Sequence, residues 1–460
     1  MTEPDGPGVL ADLARGLSDS SIITDPEILD SYRRDQAGLV DAGMPLAAVR
    51  PRTSDDVRQL LRIASGHRVP VVPRGAGSGL SGGANAVDGS LILSMTGMDR
   101  IIELDTASLL AVVEPGLINA DLSKAVGELG LWYPPDPASA DFSTIGGNIA
   151  TNAGGLCCVK YGVTGDFVLG LEVALADGTL LRTGRRTIKG VAGYDLTGLF
   201  VGSEGTLGVI TQATLRLRPA PPAPSTLVAF FADLPAAGTA IAEIAAGVVP
   251  SALELMDRAT VRAVEGWKRL DLDVEAAAML IGRSDAGGPE GAAEIERMTR
   301  ACRSSGATFV ATSTDAMEAD LLMTARRLAL TALEHLGTVL LDDVAVPIGR
   351  IPDLLRSIEE IADRHTVLIG TFGHAGDGNM HPTIVFDQRD PDAVARARSA
   401  FEAIVGVALE LGGTITGEHG VGLLKKPFLP QEIGEPGLEA HRRIRRALDP
   451  LGILNPGKVL

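Results

Sequence analysis

Two short segments of this 460-residue chain carry side chains able to hold a metal ion and move a proton. The first is Gly373-His-Ala-Gly-Asp-Gly-Asn-Met-His381, which lies between the apolar runs 366–372 and 382–386. An Asp-Gly pair between two such runs is a strong signal for a two-residue hairpin turn. With Asp377 and Gly378 as the turn, Gly376 pairs with Asn379, Ala375 with Met380, and His374 with His381. The two imidazoles then stand opposite each other on one face, their Cβ atoms about 5 Å apart, close enough to share one divalent ion. On a single extended strand their odd spacing would send them to opposite faces. The second segment, Gly417-Glu-His-Gly420, supplies a carboxylate. Together these residues make a His₂Glu set of the kind that binds Zn²⁺ and leaves positions open for a substrate. Adjacent Glu418 and His419 point to different sides of an extended loop, so one can bind metal while the other stays free. The other histidines, His67, His335, His365 and His441, have no such setting and read as solvated or packing residues.

Glycine loops in the first half suggest a phosphate-bearing ligand. The stretch Pro73-Arg-Gly-Ala-Gly-Ser-Gly-Leu-Ser-Gly-Gly-Ala84 contains GxGxxG at Gly77, Gly79 and Gly82. A dinucleotide fingerprint of the βαβ type opens into a helix and has an acid about 20 residues on. Here a strand is expected near Leu91, and Gly83, Asn85, Asp88 and Gly89 leave no room for a helix before it. The loop reads instead as a nest of backbone N–H groups, with Arg74 adding charge. In Ser143-Thr-Ile-Gly-Gly-Asn-Ile-Ala-Thr-Asn-Ala-Gly-Gly155, cap residues precede small ones. That pattern predicts a helix start whose free N–H groups suit a pyrophosphate, Gly146 and Gly147 permitting close approach. A third loop, Gly202-Ser-Glu-Gly-Thr-Leu-Gly208, again lets backbone meet ligand. Together the three predict a large dinucleotide held along its length.

The elements that must position these residues follow from local patterns. Residues 1–50 read as a short helical lead-in closed by Pro51. Residues 54–66 have a helix signature, with Ser54 as N-cap, acids in the first turn and Gly66 as stop. Strands are expected at 69–72, 91–95, 111–114, 169–176 and 206–216. Residues 219–224 (PAPPAP) form a stiff linker. Beyond it, strand-like runs at 227–231, 277–281, 339–346 and 384–386 alternate with Ala-rich helical runs, an α+β pattern and a second domain. From about Pro430 the tail reads as helix, then a turn-rich end. The expected domains are 1–218, 219–429 and 430–460.

Composition narrows the function. With 58 acidic against 41 basic side chains the net charge is −17, which would repel nucleic acid or an anionic membrane. No stretch approaches the ~18 uninterrupted apolar residues of a membrane helix. The acidic, Pro/Gly-rich start at 1–8 differs from a signal peptide. Three cysteines, with Cys157 and Cys158 adjacent, make no disulfide framework, so a cytoplasmic location is expected. The absence of a CxxC pair argues against a Cys-ligated iron–sulfur cluster.

The motifs PRGAGSGLSGG, PPDPAS (134–139), TIGGNIATNAGG, KYG (160–162) and GYDLTGLFVGSEGTLGVI (193–210) resemble the FAD-binding domain of the vanillyl-alcohol-oxidase type. The second half resembles the FAD-linked D-2-hydroxyacid dehydrogenase branch, which includes D-lactate dehydrogenases and glycolate oxidase D-subunits. The likeness runs in order from about Ala47 to Val459. It implies an α+β chain in which that FAD domain carries a cap domain with an antiparallel sheet and a C-terminal segment returning to the flavin. It further implies that the flavin's pyrophosphate and isoalloxazine edge are held by Pro73, Arg74, Gly75, Ala76, Gly77, Ser78, Gly79, Leu80, Gly82 and Gly83, with Thr144, Ile145, Gly146, Gly147, Asn148, Ala150, Thr151, Asn152, Gly154 and Gly155. Pro135, Asp136, Ser139 and Tyr161 join them, Glu204, Gly205, Gly208 and Ile210 line the adenosine side, and Asn455 returns from the tail. Residues 73–84 contain no His, so the FAD is expected to be non-covalent. Cys157 and Cys158 read as packing residues rather than a tether.

By the same resemblance His374, His381 and Glu418 are metal ligands and His419 is the catalytic base. The metal would be Zn²⁺, with Mn²⁺ or Fe²⁺ as alternatives. A substrate carboxylate is best met by a planar guanidinium. The family places such an Arg 17 residues before the Asp of a D-x-x-x-P strand, which here selects Arg326 before Asp343-Val-Ala-Val-Pro347. Members acting on 2-hydroxyglutarate carry Thr and Lys where this chain has Leu330 and Leu341, which favours a short or apolar substrate. The expected reaction is oxidation of a D-2-hydroxy acid to a 2-keto acid. The expected partner is a separate electron acceptor: an electron-transfer flavoprotein, a quinone-linked protein or a cytochrome. A homodimer is a further expectation. The rivals are a diacid dehydrogenase, a metal-dependent hydrolase, which would leave the glycine loops unused, and a non-catalytic FAD subunit of a larger complex.

Overall fold

The computed structural model describes residues 6–17 and 21–460. Residues 1–5 and 18–20, part of the expected lead-in and of the unusual N-terminal start, lie outside the described residues. The chain forms two compact units. The first comprises the chain up to Gly154, then Val163–Ala220 and Glu418–Leu460; the second comprises Gly155–Gly162 and Pro221–Gly417. Divisions were expected at 218/219 and 429/430. The compact units change over at 220/221 and 417/418.

In the first unit a four-stranded sheet runs in the order Ser21–Ile23, Ala47–Arg50, Leu91–Ser94, Val71–Arg74. Its last three strands are parallel. The helix Ser54–His67 covers it, burying Val57, Leu60, Leu61 and Ala64 against Val71, Leu91 and Leu93. Each fully buried aliphatic side chain contributes roughly 1.5–3 kcal/mol. A five-stranded antiparallel sheet has the order Ile101–Asp105, Leu110–Val113, Val209–Arg216, Val168–Ala174, Leu180–Gly184.

Three local expectations need correction. The lead-in is not purely helical: it holds the helix Gly6–Gly16 but also strands Ser21–Ile23 and Ala47–Arg50. Short apolar runs such as Ala47–Val49 do not distinguish buried strand from buried helix. The first long helix is capped by Thr53 rather than Ser54. The Thr53 side chain accepts from the Asp56 amide, and the Asp56 carboxylate accepts from the Thr53 amide, closing a capping box. That helix also runs through Gly66 and stops at Arg68, which takes the left-handed conformation.

The second unit is built on one antiparallel sheet, ordered Ala307–Ser313, Ser225–Phe231, Ala278–Ser284, Ala252–Asp257, Leu368–His374, Asn379–Phe386, Thr338–Leu341, with Val344–Ala345 also paired to Asn379–Phe386. The helices Ile351–His365 and Pro391–Glu410 pack on it. The expected hairpin is present with a different register. His374 pairs with Asn379, Gly373 with Met380, and Phe372 with His381, so four residues, 375–378, make the connection. The carbonyl of His374 accepts from the amides of both Asp377 and Gly378, which closes a wider turn than the two-residue one. Gly378 has φ +89°, and a Cβ there would collide with the carbonyl of Val346. The shift amounts to two residues, the side-chain period of a strand. Every side chain therefore keeps its face.

Candidate active site

In the first unit the glycine loop leaves the C-terminal end of the strand Val71–Arg74 and reaches Leu91 without a helix. Among the described residues, the consecutive amides of Ala76–Leu80 donate to no acceptor. Beside them Arg74 is buried, and its Nη1 meets no partner among the described residues. Gly77, at φ +76°, leaves space for that guanidinium, which a Cβ would strike. Burial lowers the Arg74 pKa, while Asp35 and Tyr32 work against the loss. A row of free amides next to a buried guanidinium with one unpartnered nitrogen fits a pyrophosphate, so these residues fit a bound dinucleotide.

The neighbouring loops are tied to this one by their own chain. Thr144 caps the helix Ile145–Thr151, its hydroxyl accepting from the Gly147 amide at 3.2 Å. Gly146 is glycine for packing, because a Cβ would run into Pro115 at 2.6 Å; the close approach expected for a ligand there is made by the protein itself. Asn148 is buried, accepting from Asn119 Nδ2 and donating to Ser143 Oγ, both at 3.1 Å, while the Pro135 carbonyl accepts the same Asn119 amide. The amides of Gly202 and Glu204 donate to the carbonyls of Ile149 and Ala150. Asn455 Nδ2 donates to the carbonyls of Gly83 and Glu204, both at 2.8 Å. Its Oδ1 is buried and meets no partner among the described residues. The Glu204 side chain turns to the tail segment, accepting from the amides of Val421 at 2.7 Å and Gly422 at 2.9 Å. Burial pushes its carboxyl up to about 7.

Glu418 and His419 belong to this same unit. The Glu418 carboxylate lies against Gly154, where a Cβ would displace it. His419 Nε2 is 3.8 Å from Glu418 Oε1. The carbonyls of His419 and Gly420 accept from Ser81 Oγ at 3.0 and 2.8 Å, which pins this segment to the glycine loop.

In the second unit, sheet register assembles the other residues. Glu254 pairs with His374, which pairs with Asn379; Met256 pairs with Phe372, which pairs with His381. Directly opposed residues share a face, as do residues two apart, so all six face one way. Thr383, two residues beyond His381, pairs with Leu341 and brings that leucine to the same face. The rings of His374 and His381 are 5.2 Å apart, centre to centre, and nearly perpendicular. His374 Nδ1 is 2.8 Å from Glu254 Oε1. Arg326, near the end of the helix Ala316–Arg327, places Nε 2.7 Å from Glu254 Oε2 in a close ion pair and its guanidinium 4.8 Å over the Phe372 ring. His381 Nδ1 is 3.7 Å from Asp343 Oδ1, and Asp343 Oδ2 accepts from Thr416 Oγ1. Glu254, Arg326, Asp343, His374 and His381 are all over nine-tenths buried. Two imidazoles with neighbouring carboxylates are donors of the type a divalent transition metal takes.

The structure thus brings His374, His381 and Arg326 together in one unit, and Glu418, His419 and the glycine loops together in the other. Gly155 and Tyr161 fall in the second unit, where Tyr161 Oη donates to Asp285 Oδ2 at 2.5 Å and Lys160 pairs with the same carboxylate. Cys157 and Cys158 are half-buried and, like Cys302, take part in no disulfide. Two residues with a clear structural role went unread in the sequence. Glu254 is an acid inside the apolar run of the strand Ala252–Asp257, which is itself the signal of a buried charge needing a partner. Ser81 is a hydroxyl among glycines and has no local partner. No helix among the described residues is long and apolar enough to cross a membrane.

The chain matches the family of FAD linked oxidases, C-terminal domain, over residues 220–459, and an FAD binding domain over residues 45–184. It is 45% identical over 418 residues to the glycolate oxidase subunit GlcD of Bacillus subtilis, covering 90% of this chain and 89% of that protein. It is 35% identical over 443 residues to a D-lactate dehydrogenase of Archaeoglobus fulgidus, covering 94% and 96%. Among solved structures, p-cresol methylhydroxylase matches in fold with a TM-score of 0.83 at 18% identity, covering 98% of this chain and 96% of that one. A glycine loop with free amides, a vanillyl-alcohol-oxidase-type fold and matches spanning most of both chains agree: the protein is an FAD-linked oxidoreductase and belongs to the FAD-linked oxidase family.

Proposed function

We propose that the protein oxidises a small or aliphatic D-2-hydroxy acid, of the glycolate or D-lactate kind, to the 2-keto acid. The observation that carries this reading is the buried sheet face on which two imidazoles lie 5.2 Å apart with a guanidinium one carboxylate away, in a family of flavin-linked oxidases. Arg326 binds the substrate carboxylate. His374, His381 and Glu418 hold a divalent ion. Glu418 follows directly on Gly417, whose amide donates to the Asp343 carbonyl, so its Cα stays about 3.8 Å from that of Gly417 by covalent geometry. His419 takes the hydroxyl proton on a ring nitrogen. When bound, the ion supplies the charge that lowers the hydroxyl's pKa. When bound, FAD supplies the acceptor for the α-hydrogen and its electron pair.

Leu341, on the same face as His381, makes the region beyond the α-carbon apolar. A second substrate carboxylate there would lose water without gaining a partner, costing several kcal/mol. The reading includes non-covalent FAD, a location in the cytoplasm and a separate electron acceptor, the last supported by the name of the GlcD relative as an oxidase subunit. Anaerobic bleaching of the bound flavin with a panel of D- and L-2-hydroxy acids tests it. Glycolate, D-lactate or aliphatic D-2-hydroxy acids should bleach fastest. Fastest bleaching by D-2-hydroxyglutarate or D-malate would overturn the apolar pocket, and no bleaching by any member would overturn the reaction.

A further inference from the structure

We infer that Glu254 is the positioning residue that orients two functional side chains of the second unit, fixing the tautomer of His374 and holding Arg326 beside it. The inference rests on the metal-site reading of His374 and names a residue outside the proposed ligand set. Glu254 stands in the middle of the sheet, paired in register with His374, and is 1% exposed. Both its oxygens lie within hydrogen-bond reach of His374 Nδ1, at 2.8 and 3.1 Å, and Oε2 also lies 2.7 Å from Arg326 Nε.

The chemistry follows from which of these atoms can donate. A carboxylate oxygen here accepts, so the ring proton of His374 sits on Nδ1 and Nε2 keeps its lone pair. Orientation of a metal-binding imidazole by a carboxylate is worth 10- to 100-fold in metal affinity. The same carboxylate lies against Arg326 as a close ion pair, Nε 2.7 Å from Oε2 but without hydrogen-bond alignment, so its charge anchors the guanidinium while the N–H donors stay uncommitted to it. The Phe372 ring under the guanidinium limits its rotation. One buried anion therefore couples two groups that the sequence places 48 residues apart, and neither can tilt without straining the other's contact.

The test uses the full-length, FAD-loaded protein stripped of divalent ions with a chelator. With ¹⁵N-histidine labelling, the seven histidines are few enough to resolve by long-range ¹H–¹⁵N correlation, and His374→Gln identifies the His374 signal. The wild type should show His374 protonated on Nδ1 with Nε2 bare. This reading needs no Glu254 variant, so it stays decisive should a variant fail to fold. Zn²⁺ titrated against a chromophoric chelator should then bind Glu254→Gln 10- to 100-fold more weakly than wild type. In that variant the charge facing Arg326 is lost, and an amide NH₂ replaces one of the two oxygens that face His374 Nδ1. A wild-type His374 protonated on Nε2 would overturn the inference, as would unchanged Zn²⁺ affinity in folded Glu254→Gln. An Nδ1-protonated His374 in a wild type that binds no Zn²⁺ would overturn the metal reading and leave the orientation by Glu254 standing.

Discussion

Replacing Glu204 by Gln should abolish much of the loss of stability that the protein undergoes between pH 5 and pH 8. Glu204 is buried, and its carboxyl is pushed from 4.5 up to about 7 by the loss of solvent, against the opposing pull of the Gly422 and Val421 amides. For an acid whose folded pKa is raised, the fold retains the proton at a pH where the unfolded chain has already released it. Stability is therefore fully present below about 4.5 and is lost as pH rises through about 7. At about 1.4 kcal/mol per pKa unit the full loss is about 3 kcal/mol, most of it between pH 5 and pH 8. Gln cannot ionise. It keeps one acceptor for the Val421 amide and gives up the bond from Gly422, at a cost of about 1 kcal/mol at every pH. At pH 8 the variant should thus be about 2 kcal/mol more stable than wild type, and at pH 5 the gain should vanish. Burial raises the Asp35 carboxyl too, and the Asp35 charge itself helps to raise Glu204, so the Gln variant relieves this repulsion as well and the gain at high pH is in the same direction. The assay is urea denaturation at pH 5, 6, 7 and 8 in fixed excess FAD, followed by flavin fluorescence. A difference between variant and wild type that stays constant across this range would refute the argument.

Acid precipitation should release all the yellow colour to the supernatant, since residues 73–84 contain no His; colour kept on the pellet would direct attention to Cys157 and Cys158. His419→Ala should retain FAD and metal yet reduce flavin at least ~100-fold more slowly in rapid mixing, the scale of a lost proton transfer, and an unchanged rate would remove His419 as base. Gly378→Ala should destabilise the hairpin by at least ~1–3 kcal/mol, because φ +89° and the Val346 carbonyl both oppose a Cβ. Thermal melting and metal content read it, and an unaltered melt would contradict the turn described.

What the sequence determined by itself is local. The capping box at Thr53 and Asp56 was legible as a helix start within one residue, because caps act over a single turn. The glycine loop could be recognised as a loop and not a helix start, since no helix fits between two strands so closely spaced. The shared face of His374 and His381 was legible too, although their register was not. Turn residues fix that a hairpin forms, while the residues across the sheet fix where it closes, and a slip of two preserves the face. Tertiary structure alone decided the partners. Glu254 meets His374 across 120 residues, Ser81 meets the carbonyl of His419 across 338, and Asn455 meets that of Gly83 across 372. The strand carrying Glu254 is buried on both faces, so no alternation of polar and apolar residues showed which way the acid points. Backbone propensity and turn chemistry are written in a few neighbouring residues. The choice of a partner for a buried charge is settled only when distant strands pack, because only then does water leave and an unpaired group become costly.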